Sequence, residues 1–274
     1  MHYNIIEIFM NILIDKLAFP EGPAIDKKGN IWLVEKEAGN LIWYHNGVTN
    51  RIFVDGQPNG IAIDTNGIIW FCDSKKNSIR AYDPNNKECK NIIEELDGIA
   101  LKMPNDLCFD SNGNLLFTCP GNSLDDNSGY ICFLDKEGNI RKLAENLNYP
   151  NGLAFSKDGL FLYLAETGSK WIWKYDWNPL SFELSNPTQF YFTGGEIGPD
   201  GMAFDEDGML YIAVYSKGVI VLVSSTGEEI SQIKLKGNNP TNCCLSSTNN
   251  LGLIITEAEL GQLIQITTHK KGIL

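Results

Sequence analysis

One strand-turn-strand unit recurs six times along this chain, and that recurrence constrains the fold more than any other feature. The copies read EGPAIDKKGNIWLVE from Glu21, NGIAIDTNGIIWFCD from Asn59 and NDLCFDSNGNLLFTC from Asn105. They continue as NGLAFSKDGLFLYLAE from Asn151, DGMAFDEDGMLYIAV from Asp200 and TNCCLSSTNNLGLIITE from Thr241. Their first residues lie 38, 46, 46, 49 and 41 positions apart. Periods of this size match the blades of a β-propeller, each a four-stranded antiparallel sheet.

Each unit opens on a short apolar run such as Ile61-Ala62-Ile63, which reads as a buried inner strand. A polar turn follows, as in Asp64-Thr65-Asn66-Gly67, where Asp caps the turn and Gly accepts a positive φ. A bulkier strand and then an alternating one complete the pattern. No amphipathic helix separates the units, so a parallel βαβ sheet is excluded. The expected fold is all-β: a six-bladed propeller over residues 18–274. The strand-like residues 5–17 within the N-terminal segment 1–17 supply the missing outer strand of the last blade and close the ring.

The chain of 274 residues is 43% hydrophobic, enough for a sizeable core. Its net charge of −12 repels phosphate backbones and anionic lipid, so neither nucleic acid nor a membrane is an expected partner. The N-terminus lacks a basic segment ahead of its apolar residues, and no run reaches the ~20 apolar residues of a membrane span. The seven cysteines show no CxxC spacing and mostly sit in apolar strand patterns, as reduced thiols of a cytoplasmic protein would. A monomer or weak homo-oligomer is the expected assembly.

The residue that opens each inner strand of a propeller points toward the central axis. Here those residues are Glu21, Asn59, Asn105, Asn151, Asp200 and Thr241, and Pro precedes every one. Asn-Gly and Asp-Gly are also ordinary turn dipeptides. The hairpin turn of each blade, however, is already supplied downstream, and Glu21 is a poor turn former. Two carboxylates and several amides crowded on one axis call for a counter-ion. Oxygen donors carrying two negative charges suit Ca2+ best, with Mg2+, Mn2+ or Zn2+ as alternatives. Zinc ordinarily takes His or Cys, and neither stands at these positions.

The motifs Pro20-Glu21-Gly22-Pro23, Pro104-Asn105-Asp106, Pro150-Asn151-Gly152-Leu153 and Pro199-Asp200-Gly201-Met202 occur in order at blade spacing. With them the chain resembles the SMP-30/gluconolactonase/luciferin-regenerating-enzyme family of six-bladed propellers, over nearly everything after residue 17. The resemblance implies metal ligation by Glu21, Asn151 and Asp200, with Asn105 at the metal and touching substrate or ordered water. It also implies hydrolysis of a sugar lactone. Met103 departs from the family, some of whose aldonolactonases carry a substrate-binding Arg at the matching position.

The expected chemistry is metal-assisted lactone opening, with Asp200 as general base on water. Asn59, Asn105, Met103 and Asn122 are the candidate substrate contacts. His2, His45 and His269 lie far from the blade heads, so no Ser-His-Asp triad can be assembled. The polar loop 120–129 and the residues ending second strands, Glu35, Asp73, Glu166, Tyr215 and Glu257, are candidates to rim the pocket. Trp32, Trp70, Trp171 and Trp173 are expected to pack between blades. Two other functions remain open on the same scaffold: a fluorophosphatase using the same metal, and a non-catalytic binding propeller with a structural metal.

Overall fold

The computed structural model describes residues 9–247 and 251–273. The described chain is all strand and turn, folded into six four-stranded antiparallel sheets and one two-stranded hairpin, Glu95–Leu96 with Ile99–Ala100. Blade 1 comprises Pro20–Ile25, Ile31–Glu35, Asn40–His45 and Val48–Phe53; blade 2 comprises Pro58–Ile63, Ile69–Asp73, Ser78–Asp83 and Glu88–Ile93. Blade 3 comprises Leu107–Phe109, Leu115–Cys119, Gly129–Leu134 and Ile140–Leu147; blade 4 comprises Pro150–Phe155, Phe161–Glu166, Trp171–Asn178 and Glu183–Phe192. Blade 5 comprises Gly198–Phe204, Leu210–Tyr215, Val219–Val223 and Glu229–Lys234.

Blade 6 takes Pro240–Leu245, Leu253–Glu257 and Gln262–Ile266 from the C-terminal end, and Met10–Ile14 from the other. That N-terminal strand pairs antiparallel with Gln262–Ile266, from Met10 opposite Ile266 to Ile14 opposite Leu263. The ring is therefore closed by sealing one blade with both ends of the chain, which removes a free sheet edge. Residues 5–8 of the expected N-terminal strand lie outside the described residues. Each inner strand packs on that of the next blade, and the sixth on the first.

The core is a set of seams between blades rather than one central mass. Trp32, Val34, Ile61 and Phe71 fill the seam between blades 1 and 2, while Leu17, Leu33, Ile42, Ile254 and Leu263 fill that between blades 6 and 1. Corresponding clusters occupy the other four seams. Trp32, Trp70 and Trp173 pack in these seams as expected. Trp171 instead lies against Phe192 of its own blade, with ring centroids 5.1 Å apart.

The polar turns work as the sequence implies. Asp26 Oδ1 accepts from the backbone N–H of Lys28 and Asn30, and Asp64, Asp110 and Asp205 repeat the pattern. The fourth residue of each turn is Gly at φ near +80°, for example Gly67 at 81°.

Candidate active site

Every blade head sits on an irregularity. The inner strand pairs with its neighbour at the head or the proline before it, slips register, and resumes two or three residues later. This happens between Glu21 and Ala24, Pro58 and Ile61, Pro150 and Leu153, Pro199 and Met202, and Pro240 and Asn242. In blade 3 the regular strand begins after the head, at Leu107. Proline has no N–H to give the ladder, so pairing is weakest there, and the bulge re-aims the next side chain.

The glycine after the head is fixed by close packing between blades. A Cβ on Gly22 would meet Asn59 O at 2.7 Å, one on Gly152 would meet Asp200 O at 2.4 Å, and one on Gly201 would meet Asn242 Cγ at 1.9 Å. Threonine hydroxyls tie the heads together. Thr118 Oγ1 donates to Asn151 O at 2.8 Å, Thr167 Oγ1 to Pro199 O at 2.7 Å, and Thr241 Oγ1 to Pro20 O at 2.8 Å.

A cavity of about 680 Å³ opens above this ring. Glu21, Asn105, Asn151 and Asp200 all line it. Each is at least nine-tenths buried. Glu21 Oε2 accepts the Gly22 N–H at 2.7 Å. Asn151 Nδ2 donates to Thr167 Oγ1 at 3.2 Å, while its buried Oδ1 has no partner among the described residues. The other walls are Phe19, Tyr149, Tyr215, Ile197 and Leu124, with Thr167, Ser123, Asp125 and Lys36 as further polar groups.

The carboxylates are electrostatically uncomfortable. Burial raises the pKa of Glu21, opposed by the Lys36 charge, the Gly22 N–H and the Asn242 amide. Burial pushes Asp200 well above the usual carboxylate range, and the Glu21 charge pushes the same way. A third acid, Asp106, is moved to about 7 by burial and by Glu21. Burial, joined for Asp106 and Asp200 by the Glu21 charge, thus favours the protonated form of each acid.

The donor set fits a hard divalent cation. Two crowded carboxylates, an unpaired buried amide oxygen on Asn151 and the Asn105 side chain offer oxygen alone. Among the described residues no three Asp, Glu, His or Cys side chains converge as a metal cluster, so the candidate set mixes two acids with two amides.

Other candidates fall elsewhere. Asn59 is buried with neither amide atom paired among the described residues, and it does not line the cavity. Met103 is 41% exposed, lies in the left-handed region at φ 50°, and is also absent from the lining. The residues matching it in blades 1 and 4, Phe19 and Tyr149, share that φ at 57° and do face the cavity. Asn122 turns onto its own loop, bonding Asp126 and Ser128, while its neighbours Ser123, Leu124 and Asp125 supply the wall.

Of the residues ending second strands, Tyr215 lines the cavity and the four acids do not. Glu35 is held by Arg51 at 3.0 Å and Asn40 at 2.9 Å. Asp73 accepts from Arg80 and from Gln57 N, Glu166 from Asn148 N, and Glu257 from Asn239 N. These acids anchor the segment that enters the inner strand of their own blade, just ahead of a proline that offers no N–H.

The residues that sequence reasoning missed are Asp106, Asn242 and Lys36, with the walls Phe19, Tyr149 and Ile197. Asp106 and Asn242 had a readable signal. The position after the head is Gly in blades 1, 2, 4 and 5, Asp in blade 3 and Asn in blade 6.

Comparison with known proteins agrees with this architecture. A gluconolactonase of Zymomonas mobilis is 27% identical over 269 residues, covering 86% of this chain and 75% of that protein. The lactonase drp35 of Staphylococcus aureus is 28% identical over 261 residues, covering 88% and 79%. Among solved structures, a gluconolactonase of Xanthomonas campestris superposes with a TM-score of 0.85 at 22% identity, over 96% of this chain and 90% of that one. A calcium-binding protein, regucalcin, of Agrobacterium tumefaciens gives 0.85 at 17% identity, over 97% and 95%. These two structural likenesses speak for the fold. The model of the SMP-30/gluconolactonase/LRE-like region matches residues 86–259, well over half of the chain, and the protein belongs to that family.

Proposed function

We propose that the protein is a hydrolase of carboxylic esters that opens a sugar lactone with the help of a divalent cation, Ca2+ by preference. The observation that carries this reading is the shared cavity. Two buried carboxylates with raised pKa values and an amide oxygen without a partner line one space large enough for a monosaccharide-sized ligand. The lactonases among the relatives supply the reaction class.

Glu21, Asn151 and Asp200, with Asn105, would hold the cation. Bound there, it would polarise the lactone carbonyl and favour the developing negative charge. Asp200 takes the proton from the attacking water. That role needs the ionised form, which burial and Glu21 disfavour in the metal-free protein and which a neighbouring dication favours. Asn105 orients water and substrate oxygen through its amide. Phe19, Tyr149 and Tyr215 offer faces to the C–H surface of a sugar ring, and Ser123 and Thr167 offer hydroxyls to its OH groups.

The product acid leaves into solvent, and no nucleic acid or membrane is needed. All seven cysteines are unpaired, which suits a reducing, cytoplasmic setting. The test is Asp200→Asn. Turnover of a responsive lactone should fall by about 10²–10⁴-fold with the melting transition retained. Wild-type turnover in that variant rejects the assignment.

A further inference from the structure

We propose that Lys36 is a specificity-determining residue and that the preferred substrate is a lactone carrying a second, anionic group, a carboxylate or a phosphate. This rests on the lactonase reading above and narrows its substrate class.

Lys36 is the one cationic side chain among the described residues lining the cavity. It follows Glu35 immediately, at the end of the second strand of blade 1, and its backbone is fixed. Lys36 N donates to Phe19 O at 3.0 Å, and Glu37 N to Ala18 O at 3.2 Å. The side chain is half-buried, and its Nζ stands 5.2 Å from the centre of the Phe19 ring. A long, flexible side chain is thus held over the cavity by a rigid root and an aromatic floor.

The ammonium has no anionic partner of its own. Among the described residues it joins no ion pair within 4.0 Å, although its charge lowers the pKa of both Glu21 and Asp200. Once a dication occupies the two carboxylates, their charge is matched and Lys36 is left over. Asp125, the remaining charged residue of the lining, is exposed on the loop and accepts the Ser123 hydroxyl at 3.1 Å. With those two carboxylates matched by the dication, a half-buried cation that lines the cavity and joins no ion pair is completed by an anion on the ligand. A neutral aldonolactone offers none.

The test compares a neutral aldonolactone, an aldarolactone with a free carboxylate and a phosphorylated aldonolactone, on wild-type and Lys36→Met protein of unchanged melting temperature. In wild type one of the two anionic lactones should exceed the neutral one at least tenfold in kcat/KM, and raising the salt should shrink the gap. The better of the two identifies the anion. Lys36→Met should lower that lactone's kcat/KM at least tenfold more than the neutral one's, mainly through KM. Equal losses on all three, or no anionic preference in wild type, overturn the proposal.

A binding measurement separates this proposal from the reaction itself. Calorimetry with an aldarate and a phosphorylated aldonate, each against a plain aldonate in the presence of Ca2+, should show tighter binding of one of the two that Lys36→Met abolishes. If no lactone is turned over but this binding difference appears, the lactonase reading fails and the anion site stands. If lactones are turned over and no difference appears in either assay, the anion site fails and the lactonase reading stands.

Discussion

Asn242 and Asp106 belong to opposite blades, the sixth and the third, yet the Asn242 side-chain Nδ2 donates to Asp106 Oδ2 at 3.3 Å. The pair spans the axis. Asn242 Oδ1 is engaged as well, accepting the Cys243 N–H at 2.8 Å, and its amide also steadies the Glu21 carboxylate. One buried amide therefore connects an acid of the cavity lining to the third axial acid. Asn242→Leu keeps the approximate volume but strands Asp106 without its donor. It should destabilise the fold by about 1–3 kcal/mol in urea unfolding. An unchanged midpoint would mean that the contact contributes nothing.

The axial acids also set a pH dependence. Glu21, Asp106 and Asp200 all have pKa values raised by the fold, so their contribution to stability is complete below the unfolded values near 4. It is lost as pH rises through the folded values, about 7 for Asp106. Chelated protein should therefore melt at progressively lower temperature from about pH 5 to about pH 8. Saturating Ca2+ should restore the loss at the upper end and matter little at the lower, where protons compete for the same oxygens. Scanning fluorimetry with and without chelator reads the difference directly. A cation effect independent of pH would contradict it.

Much of this was legible in the sequence because the repeat fixes the geometry. A six-fold unit with Pro before each head dictates a ring and assigns Glu21, Asn105, Asn151 and Asp200 to one end of it, where the cavity lies. What could not be read was depth and direction. Nothing local tells that Glu35, Asp73, Glu166 and Glu257 turn inward to hold backbone N–H groups, since an acid at a strand end is equally compatible with a rim. Lys36, one position further on, lines the cavity although it lies beyond the strand that the repeat makes readable. Nor does any local pattern announce that loop 120–129 folds on itself, with Asn122 bonding Asp126 and Ser128.

Closure of the ring gives a further expectation. Removal of residues 1–17 takes away the strand Met10–Ile14 and the buried Leu17, whose N–H bonds Gly261 O at 2.8 Å. The edge strand Gln262–Ile266 is then exposed. A loss of a few kcal/mol corresponds to a fall in melting temperature of about 5–10 °C for a chain of this size. An unchanged transition would show that the sixth blade does not need its fourth strand.

The wall contributed by loop 120–129 depends on a glycine in another blade. A Cβ on Gly168 would lie 1.7 Å from Leu124 O, so Gly168→Ala must push the loop away from blade 4. Because the displaced segment is at the surface, the melting temperature should move by less than about 4 °C, while KM for a responsive lactone rises several-fold. An unaltered KM would remove the loop from the substrate site.

The most direct test of a cation-dependent lactonase built on the blade heads is acid release from a panel of aldonolactones, measured with and without chelator. Release that stops on chelation, returns with Ca2+ and is absent in Asp200→Asn is the expected result. Release from a lactone that persists after complete metal removal, confirmed by elemental analysis, would contradict it. So would the absence of release from every lactone in the metal-loaded protein.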